Sequence, residues 1–314
     1  MSQVERLPAR PFVDAVDART RLAGSNQMEI LLFTLGTGEI FGINVFKVRE
    51  VTKTPKITPT PYMPRGVEGV ISLRGHIIPV INLATFVAPQ SQIGRGTTMM
   101  VTEFCRHTQG FLVEAVDRIV RVDWEQVKEP EDMVAGEGGL ITALTRLPNG
   151  RLVSILDVEQ ILALALGEPL VPDLAPLAAP QEATVLFADD SCVARREIVK
   201  VLDRLGARYQ QAKNGAEAYA RLTAMADRAE RQGVPLKREL KLVLTDAEMP
   251  EMDGYVLTRK LRADPRFDGI PVIMHSSLSS SANRALGQRV GVDAYVAKFD
   301  PVVLADTLRP YLSR

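Results

Sequence analysis

Cysteine is scarce in this 314-residue chain: only Cys105 and Cys192 occur, far apart and in no metal-ligand spacing. That excludes a disulfide-framed secreted scaffold and fits a reducing compartment, with both thiols read as small buried hydrophobes. Net charge is missing as well. Lysine plus arginine equals aspartate plus glutamate at 38 each, so no global basic field points to nucleic acid or an acidic membrane surface. No stretch approaches the roughly 20 apolar residues of a membrane helix. The N-terminal MSQVERLPARPFVDAVDARTRLAGSN mixes charge and proline where a signal peptide would be apolar. These absences predict a cytoplasmic protein without direct membrane insertion, free to attach to something that does span a membrane.

What is present divides in two, as the length allows. The stretch ALGEPLVPDLAPLAAPQEA, 165–183, interleaves four prolines with alanine and leucine and keeps no amphipathic period, which predicts a semi-extended linker. Upstream, EILLFTL, EIFGINV, GVISL, HIIPVINL, TTMMVTEF, GFLVEAV and RLVSIL are short, β-branched and separated by turn residues. They predict an all-β half of one or two small barrels, with helix confined to Phe12–Leu22, Asn44–Val48 and Asp157–Ala165. Downstream, strand and helix alternate through five rounds from TVLFA to VVLADTLRPYL, predicting an α/β half around a parallel sheet. The expected organisation is an N-terminal helical segment at 1–27, a β domain at 28–167, a linker at 168–182 and an α/β domain at 183–314.

In an open parallel sheet the functional crevice lies beyond the carboxyl ends of the strands. VLFADDSCVARREIV places Asp189 and Asp190 at the end of the first such strand, and LKLVLTDAEMP places Asp246 at the end of the third. One aspartate at such a boundary reads equally well as a helix cap, Asp190 ahead of Ser191 in particular. Three converging carboxylates are different, because like charges so close need a cation or shifted pKa values. An oxygen-only ligand set suits a hard cation such as Mg²⁺, which keeps several waters and takes a phosphate oxygen. Ser276 after PVIMH and Lys298 after AYVA end the fourth and fifth strands. Each alone reads as a cap or a solvated lysine; together they are the groups that would hold a phosphoryl.

Residues 183–314 resemble a response-regulator receiver domain over their whole length, through the pattern DD, D-x-x-M-P, S and K. The resemblance implies a flavodoxin-like five-stranded sheet with Asp246 as phosphoacceptor. It also implies Mg²⁺ bound by Asp189, Asp190, Asp246 and the backbone carbonyl of Glu248. Lys298 and Ser276 would then stabilise the phosphoryl, and Ser276 and Tyr295 would act as the switch pair. Two departures stand out: Lys298 is followed by Phe299, with proline only at Pro301, and MADRAERQGVPLKREL, 225–240, is longer than usual and reads as an extended second helix plus loop.

In the first half, PRGVEGVISLRGHIIPVINL, 64–83, is by physics two strands joined by an Arg-Gly turn. It resembles the CheW family of chemotaxis coupling domains, from MEILLFTLGTGEIFGINVFKVREV through GRLVSILDVEQIL, which implies two SH3-like barrels. Arg74 matches the arginine that this family places near its receptor contact. Val45, Val48, Val51 and Ile57 form a candidate apolar strip, with core packing the expectation for most of them.

A coupling domain followed by a receiver resembles the CheV-type chemotaxis adaptors. The likeness implies bridging of methyl-accepting receptors to the histidine kinase CheA, location at membrane receptor arrays, and phosphorylation without dedicated catalytic turnover. A phosphate sink that drains CheA is the rival within the pathway. An aspartyl-phosphate phosphatase of the haloacid dehalogenase type would need a second Asp where Glu248 stands. A transcription factor would need a helix-turn-helix after the receiver, whose last helix ends the chain.

Overall fold

The computed structural model describes residues 27–88, 96–104, 107–128, 130, 139–168, 170–178, 183–277 and 281–313. The helix expected at Phe12–Leu22, most of the segment 1–27 and Cys105 lie outside them.

The first half is two five-stranded sheets, ordered β8-β1-β2-β10-β9 and β3-β6-β7-β5-β4. Their strands are β1 (Gln27–Thr34), β2 (Ile40–Asn44), β3 (Val48–Lys53), β4 (Val67–Leu73), β5 (His76–Asn82), β6 (Thr98–Phe104), β7 (His107–Val113), β8 (Ala115–Asp123), β9 (Ile141–Arg146) and β10 (Leu152–Leu156). The second sheet is thus an insertion between β2 and β8 of the first. Alternation along β1 explains how one strand serves two cores. Met28, Ile30 and Leu32 point into the first sheet's core with Trp124, while Leu31 and Phe33 join Val67, Ile81, Met100 and Phe111 of the second sheet. Because β1 begins at Gln27, the last residue of the expected helical segment is strand.

Helix is brief among the described residues of this half: a 3-10 turn at Val45–Lys47 and α2 (Val158–Leu166) fall where helix is expected, while α1 (Ala84–Val87) and a 3-10 turn at Trp124–Gln126 do not. Asp157 caps α2, its carboxylate accepting from Glu159 N at 3.1 Å and Gln160 N at 2.9 Å. The Arg-Gly turn is a two-residue hairpin: Leu73 pairs with His76, and Arg74 and Gly75 both take positive φ, 50° and 86°, the geometry such tight turns demand.

The second half is a parallel sheet ordered β12-β11-β13-β14-β15. Its strands are β11 (Thr184–Ala188), β12 (Tyr209–Ala212), β13 (Leu240–Thr245), β14 (Val272–Ser276) and β15 (Ala294–Ala297), interleaved with α3 (Cys192–Leu205), α4 (Gly215–Gln232), α5 (Gly254–Ala263), α6 (Ser281–Val290) and α7 (Pro301–Leu312). Period-two alternation feeds both layers: Leu186 and Ala188 face α4 and α5, and Val185 and Phe187 face α3 and α7. The long stretch 225–240 is the end of α4, a left-handed cap at Gly233 and a 3-10 turn at Leu236–Arg238.

Over its described residues 170–178 the linker forms neither helix nor strand, and Val171, Leu174 and Leu177 pack on the core beneath α3 and α7, with Leu177 N donating to Leu205 O at 3.0 Å. Its prolines leave it without a ladder, and its apolar residues bury themselves on the receiver half instead. Cys192 also differs from a buried hydrophobe: it is half-buried and its thiol faces Gln160 across the two halves. Of the apolar strip, Val48 is core and Val45 and Ile57 pack against cores, leaving Val51 exposed.

Candidate functional site

Strand order places the end of β11 between β12 and β13, and three carboxylates meet there. Asp189, Asp190 and Asp246 each offer an oxygen, all within 4.8 Å of one another. The loops hold them from the backbone: Asp246 N donates to Ala188 O at 2.8 Å, tying the ends of β13 and β11. Arg195 donates to the carbonyls of Asp189 and Asp190 at 2.7 and 3.0 Å. The cap of α3 is Ser191 rather than Asp190, its hydroxyl accepting from Ala194 N, so Asp190 is left to face the pocket. Asp189 instead accepts from Ser191 N at 3.0 Å.

Lys298 is not a solvated lysine. It is 4% exposed, and its Nζ lies 2.8 Å from Asp246 Oδ2 and 2.9 Å from Asp189 Oδ2. Lys298 N donates to Ser276 O at 3.0 Å, which fixes the end of β15 beside that of β14. Phe299, the departure after this lysine, takes a positive φ of 63° as the chain turns toward Pro301, the first residue of α7. Ser276 is buried, and Tyr295 interacts with both Ser276 and Tyr255.

Burial, only partly offset by Lys298, pushes the Asp246 carboxyl up to about 6. Burial drives Asp189 well above the carboxylate range, with Asp246 and Asp190 adding to the rise. Burial works against the charge of Lys298, yet Asp189 and Asp246 hold it well above the usual lysine range. One ammonium among three carboxyl groups leaves a charge imbalance that a hard divalent cation would relieve. The donor set therefore fits Mg²⁺, with Asp189, Asp190 and Asp246 as side-chain ligands. His275 is buried 3.9 Å from Asp189 Oδ2, and burial with nearby Lys298 lowers it to about 3, so it is neutral.

The first half closes over this pocket. Asn44 Nδ2 donates to Glu248 Oε2 at 2.6 Å, and its Oδ1 accepts from Phe46 N, shaping the 3-10 turn that carries Lys47. Lys47, Asn44, Trp124 and Thr142 line one cavity with Asp190, Asp246, Glu248 and Pro250. Lys47 pairs with Glu159 at 3.1 Å; burial opposes its charge, but Glu159, Asp190 and Asp157 raise its pKa above the lysine range. Burial, with Asp246 next to it, pushes the Glu248 carboxyl up to about 8. Sequence reasoning missed Asn44, Lys47 and Glu159 because nothing local marks a residue whose partner is more than 100 positions away, 204 in the case of Asn44 and Glu248. Arg74 lies apart from this cluster, exposed and paired with Glu50 at 2.6 Å.

Fold and site together define a class: a module of two five-stranded β-sheets followed by a five-stranded parallel α/β domain with an acidic pocket at its strand ends. The description CheW-like domain matches residues 29–165 and Response regulator receiver domain residues 185–309. Two curated relatives span both halves. Chemotaxis protein CheV3 of Helicobacter pylori is 34% identical over 281 residues, covering 88% of this chain and 89% of the relative. Chemotaxis protein CheV2 of the same organism is 28% identical over 324 residues, covering 96% and 100%. The crystal structure of scaffolding protein TtCheW from Thermoanaerobacter tengcongensis aligns with 42% of this chain and 84% of its own, at 26% identity and a TM-score of 0.39. This chain belongs to the CheV family of chemotaxis proteins. Among the described residues no helix is long and apolar enough to cross a membrane.

Proposed function

We propose that the chain is a chemotaxis adaptor that couples methyl-accepting receptors to the kinase CheA at membrane receptor arrays, and that phosphorylation of Asp246 regulates the coupling. The observation that carries this reading is the joining of a three-carboxylate pocket with a buried lysine to a CheW-like module in one chain. A CheW-like module alone would bridge; the pocket adds a regulated input.

Asp246 ionises at about 6, so at neutral pH its carboxylate is the nucleophile. It attacks phosphorus, the bond to the donor's imidazole nitrogen or acyl oxygen breaks, and the electron pair leaves with the donor. Asp189, Asp190, Asp246 and the carbonyl of Glu248 would hold Mg²⁺, which screens negative charge during transfer. Lys298 is positioned to pair with the transferred phosphoryl, and Ser276 with Tyr295 to report its arrival on the surface built by α6, β15 and α7. Arg74, on an exposed hairpin, is the candidate receptor contact. The receiver accepts one phosphoryl and loses it by self-hydrolysis, so it is not an enzyme of dedicated turnover.

Acetyl phosphate with Mg²⁺ should label the full chain at Asp246 and leave Asp246→Asn unlabelled. Labelling that persists in that variant, or that ignores chelation of Mg²⁺, overturns the assignment. In reconstituted arrays Asp246→Asn should still couple receptors to CheA; loss of its whole effect on kinase output would make the chain a phosphate sink.

A further inference from the structure

The phosphoacceptor loop between β13 and α5 is not open to solvent on all sides. Met28, Asn44, Phe46 and Trp124 of the coupling domain line a cavity with Ala247, Glu248, Asp253 and Tyr255. Asn44, 6% exposed, donates to Glu248, two residues past Asp246. Beside it, Lys47 projects a cation into the cavity that Asp190 and Asp246 line. A second set of contacts fixes the first turns of α3: Cys192 Sγ lies 3.2 Å from Gln160 Oε1, and Arg196 donates to the same oxygen at 2.8 Å. Arg196 and Lys200 then grip Glu168, each at 2.7 Å, where the linker begins. The linker lies along α3 and α7, so the chain leaves the coupling domain already fastened to the receiver.

We propose that the coupling domain is an autoinhibitory cap on its own receiver, docked over the acidic pocket through Asn44, Lys47 and Gln160, and that capping and phosphorylation of Asp246 exclude one another. The inference rests on Asp246 being the phosphoacceptor. Three features support it. A phosphohistidine carried on a protein domain must bring phosphorus to a carboxylate that the cap covers with Asn44, Lys47 and Trp124. Lys47 faces the same acidic cluster that a divalent cation would neutralise, so the docked cap stands in for part of that charge. Finally, a phosphoryl on Asp246 adds three anionic oxygens beside a loop whose Glu248 carboxyl is hydrogen-bonded to Asn44, and the added volume and charge are met only by opening. By linkage, whatever holds the cap open raises the rate of phosphorylation, and phosphorylation frees the coupling-domain face that bears Asn44, Phe46 and Lys47.

Two experiments on the full chain test this. Asn44→Asp sets a carboxylate against Glu248, and Lys47→Glu reverses the charge facing Asp190; neither substitution alters a residue of the receiver itself. Both should speed phosphotransfer to Asp246 from a CheA phosphohistidine domain by roughly 5- to 150-fold, the usual range of coupling between two states. A rate that is unchanged, or slower in both, overturns the cap. The second experiment does not depend on rate. In a Cys105→Ser background, Gln160→Cys faces the native Cys192 thiol, and mild oxidation should join the two halves in the resting chain. Beryllofluoride with Mg²⁺ should lower the cross-linked yield several-fold, and should leave it unchanged once Asp246→Asn is added. No cross-link at all, or a yield indifferent to beryllofluoride, contradicts the proposal. Equal labelling of Asp246→Asn and its parent would instead defeat the phosphoacceptor reading on which it rests.

Discussion

Replacing Glu197 by glutamine should leave stability nearly unchanged near pH 4.5 and raise it by about 3 kcal/mol at pH 8. Glu197 sits on α3, is 4% exposed, and has no hydrogen-bond donor on either carboxylate oxygen. Burial pushes its carboxyl from 4.5 up to about 7, with Lys298 pulling the other way and the acidic neighbours Glu159 and Asp300 adding to the rise. The folded value lies above the unfolded one, so between them the native state keeps a proton that the unfolded chain has released. Stability is therefore fully present below 4.5 and is lost as the pH climbs through about 7. At about 1.4 kcal/mol for each pH step, the interval between those two values gives the ~3 kcal/mol. Glutamine keeps the shape and never ionises, so it removes the slope. Urea unfolding of the full chain in EDTA, followed by circular dichroism at both pH values, measures it. An equal difference between wild type and variant at pH 4.5 and pH 8 would show that Glu197 is not held neutral by burial.

Gly254→Ala should abolish labelling of Asp246 and destabilise the receiver, since an added Cβ would stand 2.0 Å from the Asp246 carbonyl oxygen; labelling and calorimetry check both. Lys298→Met should cost about 3–5 kcal/mol without metal, because it strands buried carboxylates, and millimolar Mg²⁺ should restore more stability to the variant than it adds to wild type in parallel unfolding titrations. Arg74→Glu should change stability by less than about 1 kcal/mol, as its pair with Glu50 is exposed, while reducing recruitment to receptor arrays and leaving Asp246 labelling by acetyl phosphate intact.

The receiver was legible because each of its chemical groups ends a strand, and strand ends of a parallel sheet share one edge. Asp189, Asp190, Asp246, Ser276 and Lys298 could be placed together from periodicity alone. The barrels were harder to read. β8, AVDRIVRVD, escaped because its pairing with β1 shifts register between Leu31 and Phe33, which breaks the period of two, and because most of its residues face solvent. β9 escaped for want of a strong apolar run. The linker's prolines announced a semi-extended chain, but composition could not show that Val171, Leu174 and Leu177 would find a surface to cover. Cys192 looked like a core residue for lack of local polar company; its polar neighbours, Gln160 and Asp157, arrive from the other half. The same holds for the whole contact between Asn44 and Glu248, which depends on how two independently patterned domains meet.

The most direct test of regulated coupling is the affinity of the full-length protein for CheA or receptor fragments with and without beryllofluoride and Mg²⁺. A change of roughly 5- to 150-fold is expected for wild type and none for Asp246→Asn. Equal affinities in all four conditions would show that the receiver does not regulate coupling.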